Sequence, residues 1–234
     1  MAVTGRRRAA FIDKDGTLID DVPYNVDPAR VTLLPGVAEG LRSLQRAGYV
    51  PVIVSNQPGV ALGHFEYSAL RAIEVCIDAL AGAAGVTIAA YAWCPHHPAG
   101  VRPGYAVACE CRKPAPGLLT DAAAQHGLDL RNSWMIGDIL DDIEAGHRAG
   151  CRAVLVDRGG ETQWQRGPGR TPEAVVSRFD HAAAFIAAAA RRRRDRVAGD
   201  AVRAAAALHG TAAPLGERLE GEPVPQHAAR RRAP

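Results

Sequence analysis

The chain has 234 residues, 47% hydrophobic but only 5% aromatic, so one substantial domain can bury a core built mainly from Ala, Val, Leu and Ile. Net charge is +3 but unevenly placed: residues 1–180 carry 18 Lys and Arg against 20 Asp and Glu, and residues 181–234 carry 10 against 5. No apolar run is long enough to span a bilayer, and the run after Arg6, Arg7 and Arg8 stops at Asp13, too short for the apolar region of a signal peptide.

Residues 9–12 form a short apolar run, expected as a buried strand, that ends at Asp13-Lys14-Asp15-Gly16-Thr17. Residues 20–34 are polar, with Pro23 and Pro28, and read as a loop or small flap. Val37, Leu41 and Leu44 fall at helical spacing before Gly48. A second strand over 49–54 ends at Ser55-Asn56-Gln57-Pro58-Gly59. A helix is expected over 65–84, with Leu70, Ile73, Ile77 and Leu80 on one face, and a third strand over 86–93. Residues 94–112 form an irregular, Pro- and Gly-rich excursion. A helix over 116–126, a strand over 134–136 ending at Gly137-Asp138, a helix over 139–149 and a strand over 152–157 follow. Such alternation implies an α/β fold, a doubly wound and mostly parallel sheet. Its strand-end loops gather along one edge. The intervals leave no room for a large cap domain. The α/β body is expected over 1–180, with a tail over 181–234 that is Ala/Arg-rich and helical to His209, then Pro- and Gly-rich and disordered.

Two constellations carry chemistry. Asp13, Asp15 and Asp138 all close strands, and hard oxygen ligands of this kind suit Mg2+ together with phosphate oxygens. Ser55 offers a hydroxyl, and Lys113 offers a cation to offset charge on a transferring phosphoryl group. Singly, each is an ordinary turn acid or surface lysine; four such strand-end sites in sequence order point to one site. Five cysteines are present. Three of them, Cys94, Cys109 and Cys111, cluster near His96, which suits a closed tetrahedral zinc site better than a disulfide framework. His97 is a rival to His96. A reducing, cytoplasmic setting is expected.

Asp13-Lys14-Asp15-Gly16-Thr17, Ser55, Lys113 and Gly137-Asp138 with Asp142 resemble the four motifs of the haloacid dehalogenase superfamily of phosphohydrolases. The resemblance implies that Asp13 is a nucleophile forming an aspartyl-phosphate, and that Asp15 is the acid and base. It implies that Asp13, the backbone carbonyl of Asp15 and Asp138 hold Mg2+, with Asp142 supporting them. Ser55 and Lys113 would bind the phosphoryl group. Cys94-Pro95-His96-His97 with Cys109-Glu110-Cys111-Arg112-Lys113 resembles the zinc-containing heptose-bisphosphate phosphatases more narrowly. That likeness implies that Asp21, Val22, Pro23, Tyr24, Asn56, Gln57, Pro58 and Arg112 face a sugar phosphate. The implied reaction is removal of the C7 phosphate from D-glycero-D-manno-heptose 1,7-bisphosphate in nucleotide-activated heptose synthesis.

Three other readings are open. Histidinol-phosphate phosphatase is a relative with a zinc loop, but its substrate carries an amine and one phosphate, for which an acid would be expected in place of Arg112. A nucleic acid 3′-phosphatase could use the basic tail, and the zinc loop argues against it. A non-catalytic binding protein would have no chemical need for Asp13, Asp15, Lys113 and Asp138 together. The expected partner is therefore a small sugar phosphate, with no membrane and no nucleic acid, handled by a monomer.

Overall fold

The computed structural model describes residues 6–209. In chain order the elements are β1 (Arg8–Ile12), α1 (Val37–Arg46), β2 (Tyr49–Asn56), α2 (Leu70–Ala83), β3 (Ala90–Cys94), α3 (Gly117–His126), β4 (Trp134–Gly137), α4 (Leu140–Arg148), β5 (Arg152–Val156), β6 (Ala174–Val176) and α5 (Phe179–His209). The six strands form one sheet in the order β3-β2-β1-β4-β5-β6, and every pairing is parallel. Strand order reverses between β1 and β4, so the crevice at their carboxyl ends is the topological switch point.

Alternation along the strands divides the core. Ala10 and Ile12 of β1, with Ile53, Ile136 and Val154, pack beneath α1, α2 and the start of α5. Ala9 and Phe11, with Val52, Val54 and Met135, pack against α3 and α4 on the other face. This is the period-two arrangement of a sheet covered on both sides.

Three features depart from the sequence reading. The strand expected from Val86 begins only at Ala90, although Val86 and Ile88 are still buried. Its neighbour Pro51 has no N–H to extend the ladder and only accepts from Ala89 N, at 2.8 Å. A sixth strand, β6, pairs at the edge of the sheet. It is three residues long with Val175 exposed, too short and too open to leave a period. The boundary expected after Asp180 falls after Arg192, where the chain divides into two compact units. Asp180 lies in the first turn of a helix whose Phe179, Ala182, Ala183, Ile186 and Ala190 belong to the first unit's core. The second unit is described from Arg193 to His209 as helix. The expected disorder over 210–234, and the basic cluster at 230–232, lie outside the described residues.

Because Ile186 is fully buried, Ile186→Ala should destabilise the protein by about 2–4 kcal/mol. Urea unfolding would check this; a midpoint within error of wild type would show that α5 is not part of the core.

Candidate active site

The catalytic edge is built by the turns that leave β1, β2 and β4. Asp13 follows β1, and its N–H donates to Ile136 O of β4 at 2.9 Å, which joins the two sides of the switch point. Ser55 and Asn56 close β2, and Asp138 follows β4. Lys113 comes from the long excursion, yet it is 3% exposed. Its Nζ lies 2.5 Å from Asp13 Oδ1 and 2.6 Å from Asp142 Oδ1, and it donates to Val54 O at 3.0 Å. Burial alone would push this ammonium toward neutrality; the charges of Asp13 and Asp142 outweigh it and raise its pKa.

The backbone of Lys113 is fixed as firmly as its tip. Asn56 Oδ1 accepts from Lys113 N, and Asn56 Nδ2 donates to Lys113 O, both at 3.0 Å. Gln57 Nε2 is shared between Asp15 Oδ2 at 3.1 Å and Ser55 Oγ at 2.9 Å. The other oxygen of Asp15 meets Lys14 Nζ at 2.8 Å, and the Lys14 side chain is 1% exposed. Desolvation raises the pKa of Asp15; Lys14 opposes that shift, and the charge of Asp13 adds to it. A carboxyl tuned upward in this way suits proton donation near neutral pH.

Asp13, Asp138 and Asp142 present carboxylate oxygens within 4.8 Å of one another. One ammonium cannot balance three such charges. Desolvation, then the charges of Asp13 and Asp142, push Asp138 up to about 8. Desolvation also lifts Asp142 to about 7, against the pull of Lys113 and with the push of Asp13. The two acids differ in their partners. Asp142 has one oxygen at Lys113 and accepts from Ile139 N with the other, at 3.3 Å. Among the described residues, the one other side chain at hydrogen-bond distance from the Asp138 carboxylate is Thr17, its Oγ1 at 3.5 Å. A hard divalent cation fits this donor set, with Asp138 and the Asp13 oxygen that does not meet Lys113 left to face it, and Asp142 engaged by Lys113 and Ile139 N. Backbone closes in on Asp138 from two sides. A Cβ at Gly16, whose φ is +76°, or at Gly160 would collide with its carboxylate.

The excursion gathers Cys94, His96, Cys109 and Cys111 into a second cluster. Sulfur separations are 3.2 Å for Cys94–Cys111, 3.3 Å for Cys109–Cys111 and 3.6 Å for Cys94–Cys109. His96 Nδ1 lies 3.3 Å from Cys111 Sγ and 3.9 Å from Cys94 Sγ. A tetrahedron with Zn–S bonds of about 2.3 Å has edges of roughly 3.8 Å, so the four donors converge closely enough for one zinc and would spread by a few tenths of an ångström around it. His97 turns away; its Nδ1 accepts from Ala99 N at 3.2 Å. Burial pushes the thiols of Cys94 and Cys111 up, which disfavours a cluster of bare thiolates without a cation. The loop is tied to its surroundings through Gln57 N to Cys94 O, Ala61 N to Pro95 O and Gly117 N to Glu110 O.

The remaining residues singled out in the sequence lie around this edge. Asp21, Val22, Pro23 and Tyr24 sit on the exposed flap, with Tyr24 46% exposed. Pro58 opens the turn after β2, its O accepting from Leu62 N at 2.9 Å. Arg112 is half-buried, and its Nη1 is buried without a hydrogen-bond partner among the described residues. Sequence reasoning missed Lys14, Thr17 and Glu161. Lys14 sits inside the first motif, but nothing in the spacing says that its side chain turns inward. Glu161 accepts from Leu140 N at 2.8 Å and so caps α4 just after Asp138; no local pattern marks it.

Residues 110–182 match the HAD-hydrolase-like family. A D-glycero-beta-D-manno-heptose-1,7-bisphosphate 7-phosphatase of Rhodopseudomonas palustris is 39% identical over 145 residues, 62% of this chain and 81% of the relative. A protein of the same name from Mesorhizobium japonicum is 39% identical over 160 residues, covering 68% and 73%. Among solved structures, D,D-heptose 1,7-bisphosphate phosphatase from B. bronchiseptica, complexed with magnesium and phosphate, superimposes with a TM-score of 0.62. It is 30% identical, over 76% of this chain and 97% of that one. With relatives 39% identical that this chain covers over 81% and 73% of their length, the chain belongs to the heptose-bisphosphate phosphatase family of haloacid dehalogenase-like hydrolases.

Proposed function

We propose that this phosphatase removes the C7 phosphate of D-glycero-D-manno-heptose 1,7-bisphosphate, a step toward nucleotide-activated heptose. The observation that carries the substrate is Arg112. Its buried, unpartnered Nη1 stands next in sequence to the lysine that reaches Asp13. A planar guanidinium with a buried Nη1 left unmet suits the second phosphate of a bisphosphate, which a monophosphate ester would not supply.

Asp13 is the nucleophile: one carboxylate oxygen attacks phosphorus, the P–O bond to the sugar breaks, and an aspartyl-phosphate forms. Asp15, placed by Lys14 and Gln57, gives its proton to the departing sugar oxygen. It then takes one from the water that attacks phosphorus and releases inorganic phosphate. Lys113 and Ser55 hold the phosphoryl oxygens, and Asn56 sets where Lys113 stands. Mg2+, held by Asp13, Asp138 and the carbonyl of Asp15, would neutralise charge on the phosphoryl oxygens. Zinc on Cys94, His96, Cys109 and Cys111 is structural, since four protein ligands fill it. Asp21, Val22, Pro23, Tyr24 and Pro58 line the approach of the sugar. The free thiols suit a reducing compartment, and we place the reaction in the cytoplasm. Among the described residues no helix is long and apolar enough to cross a membrane.

Asp13→Asn should lower kcat by about 10³-fold or more while leaving the melting temperature near that of wild type. Phosphate release at an unaltered rate would remove Asp13 from the nucleophile role. On a substrate panel, heptose 1,7-bisphosphate should exceed histidinol phosphate and a 3′-phosphorylated oligonucleotide in kcat/KM by about 10²-fold or more; preference for either rival would overturn the substrate. Metal analysis should find one zinc per chain, lost in Cys109→Ser and His96→Ala but kept in His97→Ala. Retention in His96→Ala would show the ligand set to be wrong.

A further inference from the structure

Tyr24 holds a backbone conformation that its own side chain disfavours. Val22, Pro23, Tyr24 and Asn25 form a β-turn closed by Asn25 N to Val22 O at 3.1 Å. Pro23 takes the second position. Tyr24 takes the third with φ +55°, in the left-handed region that such a turn ordinarily fills with Gly or Asn. Among the described residues only Trp164 shares this state without being Gly. Burial does not hold Tyr24 there, since the residue is largely exposed. Its ring contact is with His64: the centroids lie 4.1 Å apart and the planes are inclined by 26°, a stacked pair.

His64 stands on fixed ground. Its N–H donates to Gly59 O at 2.8 Å, and the next residue, Phe65, is buried in the core. Glu66 pairs with Arg102 at 2.5 Å, and Ala61 O accepts from both Val101 N and Arg102 N. The turn bearing His64 is thus fastened to the zinc loop and to the end of β2, which carries Ser55 and Asn56. Tyr24 belongs to the flap. Strain at an exposed residue persists only where its surroundings determine it; here the turn is closed beside the buried Asn25, whose Oδ1 accepts from Asp27 N at 2.9 Å, and the Tyr24 side chain itself meets the ring of His64.

We propose that His64 is a positioning residue for substrate recognition. Its ring holds Tyr24, and with it Asp21, Val22 and Pro23, over the mouth of the site. This rests on the reading of the chain as a heptose-bisphosphate phosphatase. A large substrate with a second phosphate depends on the flap, whereas a small ester reacting at Asp13 does not. His64 therefore acts on KM for the bisphosphate, not on the chemical step.

The full-length wild type, His64→Ala and His64→Phe are compared on heptose 1,7-bisphosphate and on p-nitrophenyl phosphate. His64→Ala should raise KM for the bisphosphate roughly three- to tenfold, the worth of one aromatic stack, with kcat and p-nitrophenyl phosphate hydrolysis unaltered. His64→Phe, which keeps a stacking face, should restore KM. Trypsin cleavage after the exposed Arg30 of the flap should quicken in His64→Ala and not in His64→Phe, a readout that needs no substrate. Unaltered KM and cleavage in His64→Ala would overturn the proposal. So would an equal defect in His64→Phe, which would mean that the imidazole itself meets substrate, or a kcat loss on both substrates. If the wild type ignores the bisphosphate, the substrate reading fails, and the cleavage comparison alone decides whether the stack holds the flap.

Discussion

Lys113 brings a positive charge into a place without solvent, and the catalytic edge is arranged around that ammonium. It reaches Asp13 from β1, Asp142 from α4 and the carbonyl of Val54 from β2. Three segments distant in sequence are thus pinned to one atom. Such a contact is costly unless each partner is placed before the charge is buried. The placement comes from Asn56, whose amide clasps the Lys113 backbone from both sides. Lys113 also satisfies only part of the negative charge. Asp142 is met, Asp138 is not, and the excess falls where a divalent cation and a phosphoryl group would be read together.

This dependence explains why a loop without secondary structure can deliver Lys113 to the buried carboxylates. Between β3 and α3 the chain runs more than twenty residues with no helix or strand, longer than most connections in compact domains. A stretch of that length is expected to wander. The cluster of Cys94, His96, Cys109 and Cys111 joins its beginning to its end, and the second pair of ligands stops immediately before Arg112. Any motion allowed at the cluster would be passed on to Arg112 and Lys113. Zinc therefore serves placement rather than chemistry.

Much of this was legible in the sequence because strand ends are local events. Asp13, Ser55 and Asp138 each follow a short apolar run, and the parallel topology brings such ends to one edge whatever lies between. The cysteine cluster was legible as composition, but His96 and His97 could be told apart only by where each ring turns. Lys14 was invisible for a different reason: its neighbours mark the motif, while its burial beside Asp15 depends on the turn after β1. Glu161 capping α4, His64 stacking on Tyr24 and Asn56 clasping Lys113 join residues 21, 40 and 57 positions apart, and no periodicity encodes such pairs. The α5 boundary was misplaced because Ala-rich sequence reads the same whether it is packed or exposed, and only the neighbours of Ile186 decide.

The division of labour is between a rigid floor and loops on its rim, whose roots, Val31 and Leu34 of the flap among them, join the core. The floor is cross-linked by hydrogen bonds: Asp13 to Ile136, Gln57 to Asp15 and Ser55, Asn56 to Lys113. The loops are held more sparingly. The flap meets the turn after β2 through one ring pair. The segment after β5 meets the start of α4 through Glu161, which also accepts from Gln163 N and Trp164 N. That contrast has a physical consequence. Changes in the floor should alter the rate of phosphoryl transfer for every ester, since the reacting atoms tolerate little displacement. Changes in the loops should alter which ester is bound, because their contacts are few and lie on the rim. Reaction type and substrate choice are thus carried by different parts of the chain, and the second can change without disturbing the buried charges that fix the first.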